Sequence, residues 1–119
     1  MAAPNIIPST IASFEHMSIV QVALTPAAAG AATASEQTFT VTGLSVGDTL
    51  QVADVILNVT KPTNQAGLMI GNARVSAVNT IAITFVNPTA GSITPTAGET
   101  YTITVWRPCQ LANATATVV

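Results

Sequence analysis

The side chains that could do chemistry are few in this sequence and lie far apart. The 119-residue chain has one histidine, His16, and one cysteine, Cys109. A cysteine nucleophile needs a base within hydrogen-bond reach, a third group that orients the base, and an oxyanion hole. The sequence around these two residues indicates neither of the last two features. We therefore expect no enzymatic activity, although the sequence alone leaves a Cys109–His16 pair open.

The acidic residues show no spacing typical of a catalytic or metal site. Glycoside hydrolysis needs two carboxylates that face each other across the substrate, and a calcium loop needs several closely spaced acidic ligands. The five acidic residues of this chain are instead widely spaced: Glu15, Glu36, Asp48, Asp54 and Glu99. A glycine-rich phosphate loop and a Cys-x-x-Cys motif are also missing from the sequence. We therefore predict that the chain binds no metal and no cofactor.

Charged residues are unusually rare. Only 7% of the residues are Asp, Glu, Lys or Arg, against about 25% in an average soluble domain. Three basic residues cannot build a basic patch, so we expect no nucleic-acid partner and no binding to a membrane surface. No apolar run approaches the roughly 18 residues that span a bilayer, and the N-terminus does not resemble a secretory signal. A surface with so few charges is typical of a protein that is buried in an assembly.

Trp106 and Arg107 are the residues whose types favour a binding role. The segment Thr100 to Arg107 alternates, and we expect Tyr101, Ile103 and Val105 to face the core. Trp106 then lies on the opposite face, where an aromatic residue beside an arginine is typical of an interface anchor. A second sheet or the N-terminal segment of the same chain is the alternative cover for Trp106. Both interpretations are open from the sequence.

The elements that position these residues are predicted to be short strands. Apolar and polar residues alternate over several segments, and Gly, Pro, Asn and Asp lie between them. We predict an all-β, single-domain β-sandwich or jelly roll of about seven or eight antiparallel strands. The predicted strands lie at 18–24, 37–43, 49–59, 69–77, 81–85, 100–107 and 113–119.

Two local features of these strands are predicted from residue parity. Apolar residues at 50 and 52 share one parity and those at 55, 57 and 59 have the other, which predicts a β-bulge near Ala53 and Asp54. For the hairpin between 69–77 and 81–85, a three-residue loop at 78–80 places Val75 opposite Ile83, so that apolar residues pair.

Residues 1–16 are predicted to form an extended N-terminal arm, and residues 17–119 the β-sandwich domain. Prolines at positions 4 and 8 disfavour both helix and sheet in the arm. Its apolar residues Ile6, Ile7 and Ile11 make it suited to lie on another surface. Together with Trp106 and Arg107, these three isoleucines are our candidate interface residues.

Three stretches of the sequence resemble a group of small structural proteins of tailed bacteriophages. They are residues 37–52 (QTFTVTGLSVGDTLQV), 66–85 (AGLMIGNARVSAVNTIAITF) and 93–103 (ITPTAGETYTI). Within that group the size and the charge-poor β character are similar to capsid decoration or cement proteins. The resemblance implies a β-sandwich or jelly roll that binds the outside of the phage head and clamps neighbouring capsid subunits. No catalytic motif exists in such proteins, so no functional residue carries over.

The resemblance also implies where the protein lies and what it contacts. The expected partners are the major capsid protein and copies of the chain itself, as a homodimer or homotrimer, and the expected location is the virion, on the capsid exterior. The alternative is a tail, fibre or spike component that serves as an adhesion, receptor-binding or adaptor module. That alternative predicts aromatic residues grouped on loops, whereas the aromatic residues here lie mostly within predicted strands.

Overall fold

The structure, a computed structural model, describes residues 14–47 and 52–108, apart from the side chains of Phe14 and Glu15. These ranges contain no helix. They form six strands: β1 (Phe14–Leu24), β2 (Thr33–Thr40), β3 (Val55–Thr60), β4 (Met69–Ala77), β5 (Thr80–Asn87) and β6 (Glu99–Pro108). The all-β prediction is therefore confirmed. The predicted strand at 113–119 lies outside the described residues.

The six strands form two antiparallel sheets of three strands each. The first sheet has the order β1-β6-β3, and the second has the order β2-β5-β4. Only β4 and β5 are consecutive strands joined as a hairpin, and every other connection carries the chain from one sheet to the other. Each sheet consequently has a central strand, β6 or β5, with a neighbour on both sides.

The core is shared by the inner faces of the two central strands. On β5 the residues Ile81, Ile83 and Phe85 are fully buried, and on β6 the inward residues are Tyr101, Ile103 and Val105. All six belong to one cluster of buried residues. Burial of a large apolar side chain contributes about 2 kcal/mol to the free energy of folding. The inward residues of these two strands are therefore the main apolar contact between the sheets. The inward positions of 101, 103 and 105 are as the alternation predicts.

At the first end of the molecule, three loops that cross between the sheets meet. They are residues 25–32, 61–68 and 88–98. The backbone groups of Ala29 and Ile93 exchange two hydrogen bonds of 2.7 and 3.0 Å. The Gln65 side chain donates to the Thr94 carbonyl and accepts from the Thr96 N–H, at 3.0 and 3.1 Å.

Asn87 is the buried polar residue that ties these loops to β5. Its side-chain amide donates to the carbonyls of Ala29 and Gly91, at 3.0 and 2.8 Å. Its amide oxygen accepts from the N–H and the hydroxyl of Thr89, at 3.0 and 2.7 Å. The side chain is fully buried and fully hydrogen-bonded, which is the condition under which a buried polar group stabilises a fold.

The second end carries the turn between β4 and β5 and the segment that follows β2. Asn79 adopts a φ of +54° in this turn, a conformation that asparagine tolerates better than most residues. Its carbonyl accepts from the Val41 N–H, and its side-chain oxygen accepts from the Gly43 N–H at 2.7 Å. Phe14 and Pro108, which pair with each other, also lie at this end.

The predicted strands at 69–77, 81–85 and 100–107 agree with β4, β5 and β6 to within two residues, but the bounds of the first three strands differ from the prediction. β3 begins at Val55 rather than at residue 49. β1 begins at Phe14, which is inside the predicted arm, so residues 14–16 belong to a strand; residues 1–13 lie outside the described part. β2 spans Thr33–Thr40 rather than 37–43. Its first four residues, Thr33 to Glu36, are all exposed and pair through the backbone with β5, so they carry no alternating apolar signal.

The predicted position of the bulge is wrong. Residues 52–54 precede β3, and the irregularity lies between Ile56 and Asn58 in the pairing with β6. Leu57 is the extra residue. A bulge there lets Ile56 and Val59 both pack against the core although they are three positions apart.

The predicted hairpin register is also wrong, by two residues. Val75 pairs with Ile81, and Ala73 pairs with Ile83. The turn contains two residues, 78 and 79, because the left-handed conformation of Asn79 closes a tighter turn than the predicted loop. An irregularity between Val75 and Ala77 shifts the register by one further residue. Apolar residues still face apolar residues, which was the reason for the predicted register.

We predict that Asn87→Ala lowers the free energy of unfolding by about 2–3 kcal/mol, because the carbonyls of Ala29 and Gly91 each lose one hydrogen bond and the Thr89 N–H loses its acceptor. Chemical denaturation followed by circular dichroism measures the change. Asn64→Ala is the matched control, because Asn64 is exposed, and it should leave the midpoint unchanged. Equal effects of the two substitutions would contradict the role of Asn87.

Candidate interface

The outer face of the first sheet carries no charged residue among the side chains that the structure describes. Its side chains follow from the register and the alternation of the three strands. They are Met17, Ile19, Gln21 and Ala23 on β1, Thr100, Thr102, Thr104 and Trp106 on β6, and Val55, Asn58 and Thr60 on β3. We call this set the outer face. A surface of threonines and apolar side chains can be covered by a partner without removing any charge from water.

The apolar part of the outer face lies toward the second end of the molecule. Trp106 is half-buried and lies opposite Met17 on β1 and Val55 on β3. Met17 is 50% exposed, and Ile19, which neighbours Thr104, is 69% exposed. The predicted outward direction of Trp106 agrees with the alternation of β6, and its role as an interface anchor stays a prediction.

Arg107 points away from Trp106, because consecutive residues of a strand face opposite sides. Its guanidinium makes two hydrogen bonds of 2.8 Å to the two carboxylate oxygens of Asp54 and donates to the Gly43 carbonyl, also at 2.8 Å. The structure therefore does not place Trp106 and Arg107 on one surface. Arg107 fastens β6 to the two segments that flank residues 48–51. Its role in an interface stays untested.

Asp54 is held in its ionised form at this place. Its side chain is fully buried, and burial raises the pKa of a carboxyl group. The hydrogen bonds from Arg107 and from the Ser45 N–H, together with the charge of Arg107, outweigh burial and hold the pKa of Asp54 below its ordinary value of 3.8. The backbone repeats the link, because the Asp54 N–H donates to the Ser45 carbonyl at 2.9 Å.

The other two basic residues are also engaged in ion pairs. Lys61 lies 2.9 Å from Glu99, which also accepts a hydrogen bond from the Thr63 hydroxyl. Arg74 on β4 reaches across β5 to Glu36 on β2 with bonds of 2.8 and 2.9 Å. Ala82 lies beneath that pair and is fully buried. The outer surface of the second sheet is therefore charged, in contrast to the outer face.

The residues considered for catalysis are not brought into a cluster in the described part. Glu36, Asp54 and Glu99 each pair with a different cation. Among the described residues, no group of three or more His, Cys, Asp or Glu side chains could hold a metal ion. His16 is exposed on β1, whereas Cys109 and Asp48 lie outside the described residues.

Tyr101 is a buried titratable group of the core. Its hydroxyl has no hydrogen-bond partner among the described residues. Burial, together with the negative charge of Glu99, raises the pKa of Tyr101 to about 12. A phenol that is neutral and enclosed in this way fills space in the core.

A cavity of about 230 Å³ opens between the edges of β3 and β4, lined by residues 56–59 and 70–73. It is smaller than the roughly 300–1,000 Å³ of common ligand sites. Its lining contains only apolar residues, two asparagines and a glycine, so it offers no acid, base or nucleophile. We assign no chemistry to it.

The remaining candidates, Ile6, Ile7 and Ile11, lie outside the described residues. Sequence reasoning missed Met17 and Ile19, although the signal was present: the alternation that places Val20 and Val22 inward leaves positions 17 and 19 on the other face. It also missed the Asp54–Arg107 pair, for which the sequence carries no signal, since the two residues are 53 positions apart.

Comparison of the chain with protein-family models, with curated proteins and with solved structures found no significant match. The likeness to phage structural proteins therefore stays a prediction that the sequence patterns carry. None of the described residues belongs to a helix long and apolar enough to cross a membrane.

We predict that Asp54→Asn destabilises the fold by about 3 kcal/mol, because Arg107 loses its ionised partner. The value is at the low end for a buried pair because 28% of the Arg107 side chain remains exposed. Equilibrium denaturation measures it. Glu36→Gln removes a carboxylate from an exposed pair and should shift the midpoint far less.

The pH dependence of this effect has a defined sign. Since the pKa of Asp54 is lower in the folded than in the unfolded chain, its contribution is present above the unfolded value near 3.8 and is lost as the pH falls through the folded value. The difference in unfolding free energy between wild type and Asp54→Asn should thus shrink below about pH 4. A difference that grows on acidification would contradict the assignment.

Proposed function

We propose that this chain is a structural protein of a bacteriophage virion, a capsid decoration or cement protein that binds the outside of the head. It stabilises the contacts between capsid subunits, as a non-enzymatic component. We also propose that its two sheets form a β-sandwich of the jelly-roll type. The observation that carries the functional proposal is the charge-free outer face, and the sequence resemblance to phage structural proteins supports it.

The outer face suits a cement protein for an energetic reason. Such a protein stabilises a shell by binding the assembled form, and its effect grows with its affinity for that form. Removing a charge from water at an interface is costly unless it gains a partner there. All three Lys and Arg side chains already have carboxylate partners within the chain. A partner that covers the outer face therefore does not need to supply a counter-charge for a cationic side chain.

The positions of the aromatic residues favour this role over a sugar-binding or receptor-binding tip. Phe39, Phe85 and Tyr101 pack within the core or against it. Phe39 and Phe85 contact edge to face, with ring centroids 6.4 Å apart. Trp106 lies on the outer face, and the fifth aromatic residue, Phe14, is part of β1. A receptor-binding module would place such residues on its loops.

The copy number of the chain in purified virions of the phage that encodes it tests this proposal. Quantitative mass spectrometry should find it in a fixed ratio to the major capsid protein, at hundreds of copies for each particle. A few copies to a few dozen would favour the tail, fibre or spike alternative. Absence of the chain from the particle would contradict both the decoration role and the tail, fibre or spike alternative.

We predict that Thr104→Lys weakens binding to heads that lack the protein by at least about tenfold, because the new charge is buried without a partner. Thr104 lies at the centre of the outer face, opposite Ile19 and Asn58. Thr84→Lys is the matched control, since Thr84 has the equivalent place on the outer surface of the second sheet. Cosedimentation with heads measures both, and a larger loss for Thr84→Lys would contradict the choice of surface.

A further inference from the structure

The edge strands within the described residues differ in how well they are protected from pairing with another strand. Each three-stranded sheet has two edge strands: β1 and β3 in the first sheet, β2 and β4 in the second. An edge strand presents unpaired backbone N–H and C=O groups that can pair with another strand. Proteins block such pairing with bulges, charges, prolines or covering loops.

Three of these edges carry a blocking device. β3 contains the bulge at Leu57 and is followed by Lys61 and Pro62. β4 has a register shift between Ile70 and Ala73, followed by the charged residue Arg74. β2 has a charged residue at its centre and is covered by the loop before it, because the Gln37 side chain exchanges hydrogen bonds of 2.8 and 3.0 Å with the backbone of Ala27.

The edge of β1 carries none of these devices over most of its length. With 11 residues it is the longest of the six strands. Its pairing with β6 is regular from His16 to Leu24. Residues 17–24 (MSIVQVAL) contain no charged residue, proline or glycine. Beyond its register shift between Phe14 and His16, β1 therefore has the longest regular and uncharged edge among the described strands, which is the kind that pairs with another strand.

We propose that two copies of the chain pair through their β1 strands, antiparallel and across a two-fold axis at Ile19. Ile19 is the central residue of β1, and this register pairs residues 16–22, which are regular in both copies, with each other. An antiparallel pair of identical strands is self-complementary, as a two-fold interface requires. The largest exposed fraction among the big apolar side chains, 69% at Ile19, is then covered by its own copy.

The pairing has a structural consequence for the outer face. The two first sheets become one continuous six-stranded sheet, in the order β3-β6-β1 followed by β1-β6-β3 of the second copy. Ile19 of each copy then lies opposite Ile19 of the other at its centre, and Met17 of each copy lies opposite Gln21 of the other. The inference rests on the edges and not on the proposed virion role, so each can fail without the other.

Cysteine cross-linking tests the register in the full chain. In a Cys109→Ser background, Ile19→Cys should give mostly disulfide-linked dimer on mild oxidation, because directly opposite residues have Cβ atoms about 5 Å apart. Gln21→Cys is the matched control on the same face. Its two copies would be offset by four residues, about 13 Å along the strand, which is too far for a disulfide. Stronger cross-linking at Gln21 than at Ile19 would overturn the register.

Light scattering over a concentration series tests the dimer itself. The wild-type chain should be dimeric and Ile19→Lys monomeric, because two like charges would face each other at the axis. Met69→Lys places the same charge at an exposed apolar residue of the second sheet, 52% exposed against 69% for Ile19, and should stay dimeric. A monomeric or trimeric wild type, or a dimeric Ile19→Lys, would overturn the proposal. Circular dichroism checks that both variants fold.

Discussion

The contact between the two central strands is the interaction on which the rest of this structure depends. Three large side chains of β5 and three of β6 meet between the sheets. Among the six described strands no other has a hydrogen-bonded neighbour on both sides, so the edge strands are held by pairing with these two. Every remaining feature, from the loops to the outer surfaces, is positioned by strands that this contact orients.

The buried polar residues Asn87 and Asp54 lie at the two ends of that core, where they join loops to the central strands. At the first end Asn87 joins two loops that cross between the sheets. At the second end Asp54 and Arg107 join the segments 41–47 and 52–54 to β6. Each basic residue has a carboxylate partner within the chain, and the described side chains on the outer face of the first sheet carry no charge. That surface is the physical basis for proposing a role in an assembly.

The sequence predicts the elements of this fold better than their register. The strands β4, β5 and β6 follow from alternation, because their inner residues are apolar and their outer residues are mostly Thr, Ala or Ser. The bulge in β3 is signalled by a change of parity, but its position depends on packing: Ile56 and Val59 fit the core only when Leu57 is the extra residue. The hairpin register depends on the backbone conformation of Asn79. Trp106 could be assigned to the outer surface from sequence, whereas the Asp54–Arg107 pair could not, because long-range ion pairs leave no local pattern.

The central claim is that the chain binds a larger assembly through the charge-free face of its first sheet. A cryo-electron microscopy map of the particle that carries it tests this most directly. We expect the side chains of Thr104 and Trp106 to lie against a neighbouring subunit, with Glu36 and Arg74 of the second sheet facing solvent. A map in which the Glu36 and Arg74 surface contacts the particle, while Trp106 faces solvent, would contradict the claim.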